Sequence, residues 1–295
     1  MSNIFKRKTP LILFLLPSFL FMIVFMYYPF IMNIINSFYL ISGLGAPAIW
    51  LQDPVFTNYI RLFEDPSMIA AVKNSLLMML LTIFIQVGIA LVLALMISFI
   101  KKGAQLFRTM YFFPIVISAT AIGLLFNLIF LYDKGMINQL ISQFDASREL
   151  IDWKDSDHFF LTMSLPIIWQ YIGFYFVILV TGVNNISNEL NEAAAIDGAN
   201  GFRRVRYITL PLLRNVLVVC VTLAITGSFK TFDLPWVMFP GGMPLDQSWL
   251  TGTYMYGVVF LKNNVSYGST IAIAIVVMGV VLSHLASKIF KEADD

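Results

Sequence analysis

Charge is what this 295-residue chain lacks most: Lys, Arg, Asp and Glu together make up 12% of it, about half of the roughly 25% usual in a soluble domain. That shortage stands against 59% hydrophobic residues and a mean hydropathy of +0.81. It excludes an ordinary soluble enzyme, a disordered scaffold and a nucleic-acid module. The net charge of +2 marks no polyanion partner. A single cysteine, Cys220, leaves no internal disulfide, and its apolar run reads as the setting of a small buried hydrophobe. The two histidines, His158 and His284, lie far apart, and no HExxH or paired-carboxylate motif occurs. The acidic stretch from Asp145 to His158, with Asp152, Asp155 and Asp157, has no metal-ligand spacing and reads as solvated loop surface. No GxxxxGKS or GxxxxGKT stretch is present, so the chain carries no ATP phosphate loop of the usual kind.

What the chain has in quantity is long apolar runs. A helix needs about 20 largely apolar residues to cross a bilayer. Six such windows occur, over about 11–35, 74–100, 109–131, 160–183, 212–232 and 268–290. The first follows Lys6, Arg7 and Lys8, but its apolar stretch exceeds the roughly 7 to 15 residues of a secretory signal core, so it reads as a retained helix. The fold expected is therefore an all-α membrane protein of six transmembrane helices, a single transmembrane domain over 1–295.

Alternating the loops from an inside N-terminus places Lys6, Arg7, Lys8, Lys101, Lys102, Arg108, Arg203, Arg204, Arg206, Arg214, Lys288 and Lys291 on one side. That side then nets +6, and the other, with Arg61, Lys73, Lys134, Arg148, Lys154, Lys230 and Lys262 but most of the acids, nets −4. By the positive-inside rule both termini are cytoplasmic.

The longest inner loop, 184–210, reads NNISNELNEAAAIDGANGFRRVRYITL. Ser187 is placed to cap a helix with Glu189 and Glu192 near its positive end. Gly198 is placed to stop that helix, Asn200 to cap a second short one, and Pro211 to begin the fifth span. Physically the loop is either a solvated carrier of positive charge or a docking element for a cytoplasmic partner.

The run Glu192-Ala193-Ala194, then Asp197-Gly198-Ala199, then Ile208-Thr209-Leu210-Pro211 resembles the EAA loop of permease subunits in binding-protein-dependent ABC importers. Asn215 stands where many members have proline, and Val205 where an aromatic is common. The resemblance extends along the chain through FLLPSFLFMIVFMYYP, FTNYIRLFEDP, RTMYFFPIVIS, IWQYIGFYFVILVTGVNNI and SFKTFDLPWVMFPGGMP, where Met243 interrupts a glycine-rich ending. It is closest in kind to the carbohydrate-uptake class, with the maltose and glycerol-3-phosphate permeases.

That resemblance implies a type I importer permease fold in the bacterial inner membrane and a coupling helix around Glu192, Ala193, Ala194, Asp197 and Gly198. It implies as partners a second permease, two cytoplasmic ATPase subunits and an extracytoplasmic solute-binding protein. ATP and magnesium would be used by the ATPase subunits, with no cofactor in this chain. The cargo implied is a mono- or oligosaccharide, with glycerol-3-phosphate or another polyol phosphate as the alternative. A secondary transporter is a remote further alternative, for which neither a repeat nor an intramembrane ion site is apparent.

Polar and aromatic groups inside spans are candidates for the substrate pathway. Trp169, Gln170, Tyr171 and Phe174 cluster in the fourth span, and Ser228, Lys230, Thr231 and Asp233 near the outer end of the fifth. Ring faces and groups that both donate and accept hydrogen bonds suit a sugar. Lys230 and Asp233, three apart, are placed to pair with each other. Aligned from the EAA loop, the sugar contacts of the maltose-type permease fall on Ile167, Tyr171, Phe174, Ala224, Ser228 and Thr231. Of these, Ile167 and Ala224 lack hydrogen-bonding side chains.

Overall fold

Asp65 and Pro66 open the second span. In the computed structural model the Asp65 carboxylate accepts from the amides of Ser67 at 3.0 Å and Met68 at 3.4 Å, and Pro66 occupies the first turn, where a missing N–H costs nothing. The structure describes residues 8–41, 43–100, 103–145, 147, 149–239 and 248–291. Lys6, Arg7, Lys101, Lys102, Arg148 and the glycine-rich 241–244 therefore lie outside the described residues.

Among the described residues, five helical stretches are long and apolar enough to cross a membrane: Leu11–Asn36, Pro66–Ile97, Phe159–Asn184, Gly201–Met238 and Val265–Ile289. The sixth window is broken. Its two halves, Ala104–Val116 and Ala119–Ile129, meet at 90°. Ile117 and Ser118 between them are extended, with ψ of 138° and 141°. Three β-branched residues in a row, Ile115 to Ile117, weaken the helix there. Ser118 then caps the second half by accepting from the Ala121 amide at 3.2 Å.

Two further boundaries depart from the sequence reading. The second span starts at Pro66, eight residues before Asn74, because the Asp65 cap sets it. The fifth starts well before Pro211: the chain is helical from 201, through a π turn at Val205–Thr209, into Leu210–Lys230. In the wide turn the Leu210 amide bonds Val205 O, five residues back. This shift of pairing makes room for the proline without ending the helix.

The chain forms two compact units. One takes in the described residues up to Glu64 together with Met255–Ala274, and the other Asp65–Tyr254 with the described residues from Ile275 on. The first holds a hairpin, β1 (Tyr39–Ile41) and β2 (Ala48–Leu51), antiparallel and bulged between Leu40 and Ile41. There Ser266 Oγ accepts from the Ile41 amide at 3.0 Å, Ser37 and Tyr59 share a hydrogen bond at 2.8 Å, and Arg61 lies 4.1 Å over the Tyr267 ring. The same unit carries the Leu11–Asn36 span, whose apolar window buries nothing within this chain: Phe14 is 81% exposed and Phe25 71%.

The second unit packs Val87, Ala90, Ala94 and Ile97 of the second span against Tyr175, Phe176, Leu179 and Val180 of the fourth and Cys220 and Ala224 of the fifth. Cys220 is fully buried, as its apolar setting implies.

Candidate functional site

Two places in the second unit carry the residues singled out in the sequence. The first is the loop after the fourth span. A helix runs over Asn188–Ile196 directly after Ser187, and ends where Gly198 takes a left-handed φ of +74°. Ala199 N–H then bonds Ala194 O at 2.9 Å, five residues back, closing the helix end. Asn200 caps the next turn, its side chain accepting from Arg203 N–H at 2.9 Å. Glu192, Ala193, Asp197 and Gly198 are exposed, whereas Ala194 is buried and faces into the chain. The exposed face also carries Ile196 at 86% and Phe202 at 77% exposure, large apolar groups that solvent alone does not favour.

The second place is a cleft of about 340 Å³ walled by the second, fourth and fifth spans and the bend of the third. The π turn Thr82–Gln86 puts Thr82 and Gln86 on its wall, and the fourth span adds Ile167, Gln170, Tyr171, Phe174 and Tyr175. Ala224, Ser228, Lys230, Thr231 and Asp233 come from the fifth span and the turn after it. Gln86 Nε2 donates to the carbonyls of Ile167 and Ile168, both at 3.0 Å, and so fixes the second span to the fourth near the middle of each. Gln170 Nε2 donates to Ile117 O at 3.3 Å, tying the fourth span to the bend. Ser228 Oγ is bonded to Ala224 O at 2.8 Å.

Of the pathway residues named from sequence, Tyr171, Phe174, Ser228, Lys230, Thr231 and Asp233 line the cleft. Trp169 does not. One residue before Gln170 on the helix, it points to another face and packs on the Phe126 ring at 5.8 Å. Lys230 and Asp233 do not pair, contrary to their spacing: the helix breaks at Thr231 and Phe232, and the only ion pair among the described residues is His158 with Asp155. Each charge instead sits at a favourable helix end, Lys230 in the last turn of Leu210–Lys230 and Asp233 in the first of Asp233–Met238. All six positions aligned to the maltose-type contacts, Ile167 and Ala224 included, are on the wall. Thr82, Gln86 and Tyr175 were missed, although a glutamine inside an apolar span is a signal the rule on intramembrane polar groups would have caught.

The acidic stretch from Asp145 to His158 holds no group of three metal-ligating side chains among the described residues. Asp155 closes the turn just before the fourth span. Its partial desolvation, which would raise the carboxyl, is outweighed by hydrogen bonds from His158 N–H, the His158 ring and Asp157 N–H, which hold it below the usual range. Burial pushes the neighbouring Lys154 down, partly opposed by Asp152, and its ammonium donates to Asn127.

Binding-protein-dependent transport system inner membrane components match this chain over residues 67–291, a stretch that includes both sites. The chain belongs to this family. Among members of known sequence, the probable ABC transporter permease protein YurN of Bacillus subtilis is 31% identical over 95% of each chain. The lactose transport system permease protein LacF of Rhizobium radiobacter is 30% identical over 92% of this chain and 91% of its own. A permease chain in the crystal structure of a bacterial ABC transporter involved in the import of the acidic polysaccharide alginate superposes with a TM-score of 0.82, covering 97% of this chain and 96% of that one at 21% identity. The fold is thus that of an ABC importer permease, with five long helices and one broken pair as the candidate spans among the described residues.

Proposed function

We propose that this inner membrane component is one half of the pathway of an ATP-driven importer that takes up a saccharide handed over by an extracytoplasmic binding protein. The cleft carries this reading. Tyr171 and Phe174 offer ring faces, and Thr82, Gln86, Gln170, Ser228 and Thr231 line the same wall with polar oxygens able to accept from a sugar's hydroxyls. The relatives' names agree: one serves lactose transport and another, from Bacillus subtilis, arabinooligosaccharides. Lys230 and Asp233 give the rim both signs of charge, which favours a neutral cargo over a polyol phosphate.

The second permease would cover the apolar faces that Leu11–Asn36 leaves bare. Two cytoplasmic ATPase subunits would seat the Asn188–Ile196 helix, with Glu192 and Gly198 at the contact and Ile196 and Phe202 in apolar pockets. ATP-driven closure of those subunits then moves the loop and, through the unbroken helix from 201, the fifth span at the cleft. Both termini are cytoplasmic, and the chain acts as a single transmembrane domain without ATPase chemistry of its own.

Gly198→Asp forces a side chain onto a left-handed backbone and Glu192→Lys reverses a contact charge. Neither residue is buried, so both variants should reach the membrane in normal amount, by immunoblot, and lose uptake of labelled saccharide. Normal uptake by both would remove the coupling role from this loop. Uptake that follows an ion gradient without ATP would place the chain among secondary transporters instead.

A further inference from the structure

Gln170 is 3% exposed, and its side-chain amide is only half used. Nε2 donates to Ile117 O, while Oε1 is buried with no hydrogen-bond partner. Among the described residues of the cleft wall no other side chain holds a buried polar atom in this condition. A buried carbonyl oxygen without a donor is costly, and a side chain that keeps one is commonly matched by something outside the protein.

A second feature stands beside it. Ile117, the partner of Gln170, immediately precedes Ser118, the cap of the eleven-residue helix Ala119–Ile129. Ser118 takes the amides of Ala121, through its side chain, and Ile122, through its carbonyl. The amides of Ala119 and Thr120 precede the first intrahelical bond and face outward from the helix start as donors. Ala119 is itself on the cleft wall. Gln170 and Ala119 both line the cleft, so an acceptor that needs a donor and a donor that needs an acceptor belong to the same wall.

A single hydroxyl answers both, giving its proton to one and its lone pair to the other. A phosphate or carboxylate only accepts and would face Oε1 with negative charge, and an ether or methylene leaves Oε1 as it was. Resting on the saccharide reading above, we propose that Gln170 is a specificity-determining residue: its Oε1 accepts from one free hydroxyl of the cargo, whose oxygen accepts from the start of the Ala119–Ile129 helix. At that position of the cargo a deoxy, O-methyl or phosphoryl group is rejected. Tyr171 and Phe174, on the same helix and the same wall, hold the adjoining ring face.

The test uses the complete importer in its own cells, with tritiated lactose, maltose and arabinotriose as probes, followed by the monodeoxy analogues of whichever enters. The wild type should take up one deoxy analogue with kcat/KM at least tenfold below its parent. Gln170→Leu should lose about the same factor on the parent, chiefly in KM, and nothing further on that analogue. Gln170→Glu, which keeps an acceptor, should preserve the discrimination. Gln170→Met, of similar length, repeats the experiment so that a leucine variant absent from the membrane does not decide it. Equal uptake of every deoxy analogue by the wild type, or undiminished discrimination by the leucine and methionine variants, overturns the assignment. A wild type that accumulates none of the three saccharides contradicts the saccharide reading itself, and this inference falls with it.

Discussion

A β-carbon on Gly173 would stand 2.0 Å from the carbonyl oxygen of Tyr111 and 2.9 Å from Phe112 Cα. The fourth span can lie against the Ala104–Val116 helix only because residue 173 has no side chain, and backbone on both sides leaves no soft atom to yield. Gly173→Ala should therefore cost about 3 kcal/mol, the upper end of ordinary overpacking. Heating the purified protein in detergent should show a clearly lower unfolding midpoint. Gly88→Ala, inside a helix where an added β-carbon meets nothing within 4 Å, should leave it unlowered or raise it slightly. At this scale the sequence spoke unevenly. Gly198 and Asn200 were legible because a helix stop and a cap are local events, decided by the residue and its neighbours. Gly173 was not, because its need for a bare α-carbon comes from a helix about sixty residues away in the chain. Lys230 and Asp233 do not pair for a related reason: a spacing of three brings side chains together only on one continuous helix, and the break at Thr231 lies between them.

The elements differ in how far apolar length alone describes them. Every window of about 20 apolar residues is helical, yet length says nothing about a bend inside one. The third window breaks by 90° at Ile117 and Ser118, and that break gives the cleft its fourth wall. Capping chemistry is the trace it leaves in the sequence, a serine after three β-branched residues. The same chemistry at Asp65 and Pro66 moves the start of the second span. Ser118→Ala removes the side-chain acceptor for Ala121 and should destabilise the second half-helix by about 1 kcal/mol. Amide exchange measured by mass spectrometry should rise over Ala119–Ile129 and stay unchanged over Phe159–Asn184. Equal exchange over Ala119–Ile129 in the wild type and in Ser118→Ala would show that packing alone holds the bend. The π turns were equally hidden, and one of them puts Thr82 and Gln86 onto the cleft wall.

For the molecule as a whole, the scarcity of charge and the six apolar windows led directly to a membrane-spanning helical fold. The family match over 67–291 and the TM-score of 0.82 agree with it. The chain taken alone leaves a great deal of apolar surface bare, most completely along Leu11–Asn36. Lipid covers part of such a surface in any membrane protein, but the exposed Ile196 and Phe202 stand on the loop after the fourth span, among the charged residues assigned to the cytoplasm. In the proposed importer a protein partner covers them. The most direct measurement is affinity purification of this chain from its native membranes in mild detergent, with every copurifying protein identified. The account predicts a second six-span permease and a nucleotide-binding subunit in the eluate, the latter lost when Gly198→Asp is the bait. A chain recovered alone or only with itself, across several detergents, would contradict it.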